Sequence, residues 1–579
     1  MIEPRADAVV RRHFDRWDAI VLLVLTAVAF VLRFYSPIMP DFFLHPFQGS
    51  VVTNCVSNTP IDAQGDPGTL CGLAYPFNRG YPESSDQNAP LSPSNGQVFD
   101  EVYFPVDAYN DVKGIQLCRP STIDCRFNYF DPEPPLAKMF IAAGEYGYGW
   151  YRVHFEGAKG SYIDLGFNTF GWRIAACIFG ILCVPMMFLF ARRLWPNRLF
   201  AIAAATLVCF DGMFFVQSRI GMIDIFPIFF IMLAYFIFLV HIQSRTRRGS
   251  MLSLLALGIV LGIGVASKWI VLAAFASIVF FLGLRFLKRG IGRFIGPISE
   301  WAKGEGPVIP GGVYWPTYIV LALVAFALIP SMIYIGSWYP FFARGQFHVT
   351  AFTWTPFFAH GLRIPMLNPL GDLIAYQKAS LDYHAHLTAT HPYGSPWWSW
   401  PFLSRPVLYY AEYTGLGTDH WTGQALVGWM ADLGNPWIWW TSLPCLVSLP
   451  YFIVRYRSFP AALILVGFIT QYLPWSQISR VIFMYHMFGG LIFMILALAF
   501  VLAQLAERVP KAGRKILIGH LAVSVAFFFY FYPVWTALPI SNSALYVAPG
   551  TPIWGPKIWF EHCPANPAAP VRPALWCWE

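Results

Sequence analysis

The sequence predicts a polytopic α-helical membrane protein, and two observations carry this prediction. Of the 579 residues, 56% are hydrophobic and only 12% are charged, and the mean hydropathy is +0.51. A soluble domain of this length has roughly twice that charged fraction. Apolar runs of about 18 residues or more also recur along the chain, and this length crosses a hydrocarbon core of about 30 Å.

These runs predict eleven transmembrane helices. The first is expected to remain in the chain, because its flank has no small-residue cleavage site of the kind that ends a signal peptide. The predicted spans are 19–36, 171–191, 199–217, 222–242, 251–267, 269–287, 317–338, 436–454, 459–474, 481–506 and 516–538.

Basic residues predict the orientation of the chain. With a cytoplasmic N-terminus, Lys and Arg cluster in all six inside segments, as the positive-inside rule requires. The net charge of +8 is then explained by topology, and no nucleic-acid partner is needed to account for it. An odd number of spans places the C-terminal tail outside, together with the long loops 37–170 and 339–435.

This topology divides the chain into four predicted parts. They are an N-terminal transmembrane module (1–338, with the outer loop 37–170), an outer loop (339–435), a C-terminal group of spans (436–538) and an outer tail (539–579). Residues 37–97 are rich in Pro, Gly, Ser and Asn and predict an irregular insertion. Residues 134–150 are apolar at helical spacing but too short to span, which predicts a helix at the outer interface. An active site would therefore form from outer loops and span ends.

Cysteine placement agrees with the predicted topology. Six cysteines fall outside and four fall in spans, where cysteine acts as a small apolar residue. An even number of outer cysteines indicates disulfides in an oxidising compartment. A zinc site is the competing interpretation, but no Cys-x-x-Cys spacing supports it. The outer six are Cys55, Cys71, Cys118, Cys125, Cys563 and Cys577, with Cys118–Cys125 and Cys563–Cys577 as the expected pairs.

Ionisable residues at the outer ends of spans are the candidate site residues, since charge within the membrane is costly and usually functional. Several cations beside one carboxylate pair predict a pocket for an anionic lipid headgroup with an acid or base next to it. The candidates are Asp100, Glu101, Lys138, Arg173, Arg219, Asp224, Lys268 and Arg480, with His391 and His486 nearby.

Each candidate also has a structural interpretation. A single Arg at a span end often snorkels to lipid headgroups. The Asp100–Glu101 pair is equally typical of a solvated loop or the start of a helix. His391 and His486 suit hydrogen-bonded structural roles, and the aromatic stretch 392–401 suits an interfacial belt.

Taken together, several segments resemble the protein O-mannosyltransferase family, membrane glycosyltransferases of the GT-C fold. The resemblance runs from about residue 99 to residue 506 and would imply eleven spans with an inner N-terminus. The segments are FDEVYF (99–104), DPEPPLAK (131–138), GWR (171–173), DGMFFVQSRIGMID (211–224), HPYGSPWWSWP (391–401), LGNPWIWW (433–440) and LPWSQISRVIFMYH (473–486).

The resemblance implies a chemistry. Members of the family transfer mannose from a polyprenyl-phosphate carrier to Ser or Thr hydroxyls outside the cytosol, with inversion, and no metal or cofactor is implied. Asp100 would be the base, with Glu101 as the runner-up or as a residue that orients the acceptor. The residues expected to contact the donor phosphate and sugar are Lys138, Arg173 and Arg480. Possible supporting residues are Glu133, Arg219, Asp224, His391 and His486, with Arg219 and Asp224 as a possible ion pair.

Three features depart from the family pattern. Glu133 replaces the usual His, Ala137 replaces the usual Gly, and the stretch before FDE is lengthened by the insertion. Loop 339–435 is too short for the MIR domain of eukaryotic members, and no Asn-x-Ser/Thr sequon with a permitted middle residue is present. The missing sequon, together with the lack of an ER-retention tail, favours a bacterial inner membrane.

Two other functions remain open at this stage. One is a GT-C transferase that moves another lipid-linked sugar to a glycan or lipid acceptor. The other is a transporter of a lipid-linked sugar, which predicts ionisable residues at mid-membrane and matched broken helices in two halves. The spans carry little such charge and no such pairing is seen.

Overall fold

The computed structural model describes residues 14–34, 98–114, 131–167, 169–291, 309–343, 368–388, 391–412, 418–419, 422–545, 557–560 and 577–578. The N-terminal half has α1 (Arg16–Phe34), α2 (Phe104–Lys113), α3 (Leu136–Phe155), α4 (Tyr162–Gly166), α5 (Thr169–Leu194), α6 (Arg198–Cys209), α7 (Gly212–Val216), α8 (Ile225–Ile242), α9 (Arg247–Ser267), α10 (Val271–Ile291), α11 (Trp315–Ser337, with a π turn at Val324–Leu328) and α12 (Tyr339–Ala343). The second half has α13 (Asn368–His386), β1 (Val407–Glu412), β2 (Leu426–Asp432), α14 (Pro436–Tyr456), α15 (Phe459–Tyr472), α16 (Phe488–Arg508), α17 (Pro510–Phe531), α18 (Pro533–Thr536), β3 (Ile540–Ser541) and α19 (Asn542–Leu545). Short 3₁₀ turns lie at Phe99–Val102, Pro310–Gly312, Trp397–Phe402, Leu473–Gln477 and Met484–Met487.

Within the described ranges, nine helices are long and apolar enough to cross a membrane. They are α1, α5, α8, α9, α11, α14, α15, α16 and α17, and each coincides with a predicted span. The other two predicted spans, 199–217 and 269–287, hold the shorter apolar helices Arg198–Cys209 and Val271–Arg285. The first of these ends early because Asp211 caps α7 by accepting from the Phe214 amide at 3.1 Å. The predicted interfacial segment is the helix α3.

The core of the bundle is built around α16. Its residues are buried along most of its length, and it packs against α6, α8, α14, α15 and α17. In contrast, most residues of α1, α11 and α17 are not buried, as expected of helices that face lipid.

Buried hydrogen bonds join the two halves at one end of the bundle. Asp211 accepts from the Asn435 amide at 3.1 Å and from the Trp439 indole at 2.9 Å. The Asn435 side chain donates in turn to the carbonyls of Phe210 and Ser524, both at 3.0 Å. Because these groups are shielded from water, their mutual satisfaction fixes how the halves meet.

A small antiparallel sheet, which the sequence did not predict, lies beside the candidate site. Its order is β1–β2–β3, with Val407 opposite Asp432 and Leu426 opposite Ser541. β1 contacts the turn Phe99–Val102. The sheet therefore forms one wall next to the Asp100–Glu101 pair.

Two residues near the end of the sequence are hydrogen-bonded to the segment before β1. The Cys577 amide donates to the Ser404 carbonyl at 2.8 Å, and the Trp578 indole donates to the Leu403 carbonyl at 2.6 Å. The other five cysteines predicted to be outside the membrane do not fall in the described residues, so the two expected pairings stay predictions, as does the division into four parts.

Candidate active site

A short 3₁₀ turn, Phe99–Val102, presents the Asp100–Glu101 pair. Phe99 has a φ of 49°, in the left-handed region that costs free energy for a residue with a side chain. Its ring packs 4.5 Å from the ring of Tyr409 on β1. The aromatic contact therefore helps to hold a backbone conformation that turns two consecutive carboxylates in different directions.

Glu101 points into the protein and is fully buried. Its Oε1 and Oε2 accept from Nε and Nη2 of Arg173 at 2.6 and 2.5 Å. The backbone amides of Gly221 and Val98 donate to the same carboxylate at 2.6 and 2.8 Å. Four donors thus occupy Glu101, and the buried Arg173 guanidinium makes a bidentate pair with it. This geometry favours an anchoring role for both residues over the catalytic and donor-binding roles expected of them.

Lys138 is likewise enclosed. Its fully buried ammonium bonds the Asp131 carboxylate and lies 3.3 Å from Asp107. The Asp131 backbone is bonded to the Tyr376 hydroxyl of α13, which accepts from its amide at 2.6 Å and donates to its carbonyl at 2.9 Å. Lys138 therefore fastens the start of α3 to α2, and this position favours a structural role over the expected phosphate contact.

A second ion pair lies near Asp100. Lys268, immediately after α9, donates to Oδ1 of Asp224 at 2.8 Å. Oδ2 of the buried Asp224 has no hydrogen-bond partner among the described residues. The possible Arg219–Asp224 pair is thus not formed, because Lys268 takes that place. Arg219 is buried with its guanidinium 5.0 Å from the centre of the Phe215 ring.

Asp100 is partly buried and faces this charged group. Burial raises the pKa of Asp100 to about 7, and the carboxylates of Asp224 and Glu133 add to the increase while Lys268 opposes it. A carboxylate of this basicity is a good proton acceptor near neutral pH.

Glu133 lies among cations. Burial acts to raise the pKa of Glu133, but Lys268, His384, Lys138 and Arg480 together hold that pKa below its usual value. Arg480 is partly buried, and its guanidinium donates to the carbonyl of Val481 at 3.4 Å. Lys268, Arg480 and His384 therefore surround Glu133, next to Asp100. We call these five residues the charged pocket.

His391 and His486 lie beside the charged pocket in structural positions. His391 Nδ1 accepts from the Tyr393 amide at 3.2 Å, and its ring packs 5.0 Å from Phe483. His486 is buried against Trp475, with ring centres 4.4 Å apart, and its Nδ1 lies 3.1 Å from the Phe483 amide nitrogen.

Sequence reasoning missed His384 as a candidate. It lies on α13 in the stretch DYHAHLTATHPY, which holds three histidines within eight positions. Nothing local distinguishes His384 from His386, so only the placement of α13 over Asp131 reveals that it faces the pocket. Among the described residues, no group of three or more His, Cys, Asp and Glu could hold a metal ion.

Two family models match consecutive parts of this chain. Residues 126–343 match the dolichyl-phosphate-mannose-protein mannosyltransferase model. Residues 369–549 match the C-terminal four-transmembrane region of protein-O-mannosyltransferase. Together the two matches cover more than two thirds of the 579 residues, in the order expected of one protein. The chain belongs to the protein O-mannosyltransferase family.

Individual relatives agree with this assignment. The polyprenol-phosphate-mannose–protein mannosyltransferase of Mycolicibacterium smegmatis is 25% identical over 464 residues, which cover 74% of this chain and 80% of that protein. The protein of the same name from Corynebacterium glutamicum is 26% identical over 486 residues, covering 78% and 86%. Among solved structures, the S. cerevisiae protein O-mannosyltransferase Pmt1–Pmt2 complex bound to the sugar donor has a TM-score of 0.61 at 16% identity, with 91% of each chain covered.

Membership in the O-mannosyltransferase family confirms several predictions made from sequence. The predicted family, the polytopic GT-C membrane fold and the glycosyltransferase class are all confirmed. Asp100 and Glu101 lie upstream of the first matched range, 126–343. Their roles therefore depend on the geometry of the site.

Proposed function

We propose that this O-mannosyltransferase transfers mannose from a polyprenyl-phosphate carrier to Ser or Thr hydroxyls of proteins at the extracytoplasmic face of a bacterial inner membrane. The observation that carries the proposal is the charged pocket, in which the Asp100 carboxyl, with its raised pKa, faces Lys268, while Arg480 lies near the neighbouring Glu133. The names of the M. smegmatis and C. glutamicum relatives support the donor and the protein acceptor. The basic inside segments support a cytoplasmic N-terminus and an outer C-terminus.

The reaction needs one proton acceptor and stabilisation of one leaving group. The Asp100 carboxylate takes the proton of the acceptor hydroxyl as its oxygen attacks the anomeric carbon. The bond between that carbon and the phosphate oxygen breaks, and its electron pair leaves with polyprenyl phosphate. A single displacement of this kind inverts the anomeric centre. Lys268 and Arg480 stabilise the growing negative charge on the phosphate.

Other charged residues hold this arrangement in place. Glu101 with Arg173 anchors the turn that carries Asp100, while Lys138 with Asp107 and Asp131 anchors the segment that carries Glu133. Asp224 orients the Lys268 ammonium through its 2.8 Å bond. Compared with the expectation from sequence, Lys268 replaces Lys138 and Arg173 as the proposed donor cation, and Arg480 is kept.

The function is tested with purified protein in detergent and radiolabelled polyprenyl-phosphate-mannose. We expect label to move to Ser- and Thr-containing peptides, and no transfer to peptides with Ala at these positions. Consumption of another lipid-linked sugar, or transfer to a glycan and not to peptides, would replace this proposal with the related GT-C activity. Lipid-linked sugar that crosses vesicles without transfer would indicate a transporter.

The activity should depend on pH through Asp100. Its base form is lost as pH falls through a pKa of about 7, so kcat/KM should decrease on the acid side of neutrality. Glu133→Gln removes a negative charge that raises this pKa, so the midpoint of the acid limb should move to lower pH. The control is Glu156→Gln, which changes an exposed carboxylate directly after α3 that pairs with Arg152. It should leave the pH profile unchanged. An acid limb that does not move in Glu133→Gln would contradict the pocket geometry.

Arg480→Ala should weaken use of the lipid donor more than use of the acceptor. A hydrogen bond to a charged group contributes about 1.5–3 kcal/mol, so KM for the donor should rise roughly tenfold to a hundredfold. The measurement is initial rate against donor and peptide concentration separately. Arg152→Ala is the matched control, because this arginine of α3 pairs with Glu156 and does not belong to the charged pocket. An unchanged KM for the donor would remove Arg480 from the site.

A further inference from the structure

The helix α13 is pinned at two points close to the charged pocket. The Tyr376 hydroxyl bonds the backbone of Asp131, two residues before Glu133. The Tyr334 hydroxyl donates to Gln377 at 2.6 Å and accepts from the Trp269 indole at 3.0 Å, next to Lys268. Because both attachments reach the segments that carry pocket residues, the C-terminal end of α13 has a fixed position relative to them.

This placement brings His384 into the pocket. The charged groups that face its ring are Glu133 from the segment before α3, Lys268 after α9, and Arg480 before α16. The Trp269 ring packs against it at 6.3 Å, and its own neighbour Tyr383 at 5.5 Å. On the rest of α13, His386 and Asp382 bond each other at 2.9 Å and are largely exposed, so they face away.

The ring has one nitrogen available for a ligand. Nδ1 of His384 is buried and has no hydrogen-bond partner among the described residues, and the Pro132 backbone lies close to the ring. A neutral imidazole that carries its proton on Nε2 keeps a lone pair on Nδ1. Protonation converts Nδ1 into a second N–H donor, which is the group that a phosphate oxygen requires.

In the absence of a ligand, the charged pocket disfavours the protonated form of His384. Burial, with the charges of Arg480 and Lys268, lowers the pKa of His384, while Glu133 opposes this effect. Lys268 and Arg480 are also balanced by Glu133 and Asp224, so the four charges sum to about zero. A phosphate adds negative charge next to the ring and shifts the balance toward the imidazolium. Since protonation of His384 is favoured at low pH, the affinity for phosphate that this proton adds must decrease as pH rises.

We propose that His384 is a phosphate ligand of the donor pocket and that it takes up a proton when the lipid phosphate binds. This inference rests on the proposed function, because it assumes that the anion in the pocket is the phosphate of a polyprenyl carrier. After transfer, the product polyprenyl phosphate is a phosphomonoester with a second ionisation near pH 6, so it carries more negative charge than the diester donor. The same contact with His384 would therefore retain the carrier.

The test counts protons directly. The probe is the methyl diester of farnesyl phosphate, whose single charge does not change near neutral pH. Binding is measured by calorimetry in two buffers of different ionisation enthalpy, which gives the number of protons taken up. Because Asp100 titrates in the same range, every protein carries Asp100→Asn. We expect uptake of a large fraction of one proton by this parent and by its His386→Gln variant, and about none by its His384→Gln variant, with weaker binding.

Three results would contradict the proposal in different ways. Binding by the parent without proton uptake overturns it regardless of any variant, so a folding defect in His384→Gln cannot rescue it. Equal uptake by the parent and by His384→Gln also overturns it. If no protein binds the probe, the proposed function fails together with the inference, whereas in the first two cases the donor pocket stands and only the role of His384 is lost.

Discussion

Asp100→Asn is expected to lower kcat by about 10²–10⁴, the contribution typical of a general base, while the affinity for the lipid donor changes little. Asparagine has nearly the same shape but cannot accept the hydroxyl proton at neutral pH. The donor contacts proposed for Lys268 and Arg480 remain in place, so the loss should appear in turnover. The measurement is kcat for mannose transfer to peptide together with binding of polyprenyl phosphate.

The control for Asp100→Asn is Asp382→Asn, which removes an exposed carboxylate of α13 that pairs only with His386 in the described structure. It should transfer mannose at the wild-type rate. Asp100→Asn with undiminished kcat would exclude Asp100 as the base and leave the raised pKa without a catalytic purpose. Loss of donor binding in the same variant would instead assign Asp100 to donor recognition.

Sequence alone predicted the fold well, because the membrane imposes a simple rule on composition. Each predicted span corresponds to an apolar helix, since an unpaired backbone in lipid is too costly for other structures. The exceptions are informative. The predicted span 199–217 ends early at Cys209 because Asp211 caps the next short helix and binds Asn435, a partner 224 residues away. Long-range contacts of this kind cannot be read from a hydropathy pattern.

The site was predicted in part for a similar reason. The pair Asp100–Glu101 marks the right turn, but the sequence does not say which carboxylate points inward. Arg173 lies 72 residues from Glu101, so their bidentate pair depends on how α5 packs against the turn. Lys138 was closer to being predictable, because its partner Asp131 lies seven residues before it, with three prolines between them. The positions of cations were thus predicted, but not which of them already have a carboxylate partner.

Glu101→Ala is expected to cause the largest loss of stability among these substitutions, about 3–5 kcal/mol, because it leaves the Arg173 guanidinium buried without its partner. The matched control is Lys113→Ala, which breaks the Lys113–Asp164 pair, where both side chains are about one third or more exposed. Such exposed pairs contribute about 0–1 kcal/mol. Thermal unfolding of the two purified variants should therefore separate them clearly, and equal melting temperatures would contradict the anchoring role.

A double variant distinguishes an anchoring role of Glu101 and Arg173 from a role in the reaction. Replacing a buried ion pair with apolar residues of similar volume is often neutral for stability, so Glu101→Leu with Arg173→Met should recover much of what Glu101→Ala loses. If Glu101 only holds the turn, mannose transfer should return in proportion to the folded fraction, since Asp100 still faces Lys268. A double variant that is as stable as the wild type but inactive would show that Glu101 or Arg173 acts on the substrate, and the division between anchoring and reacting residues would have to be redrawn.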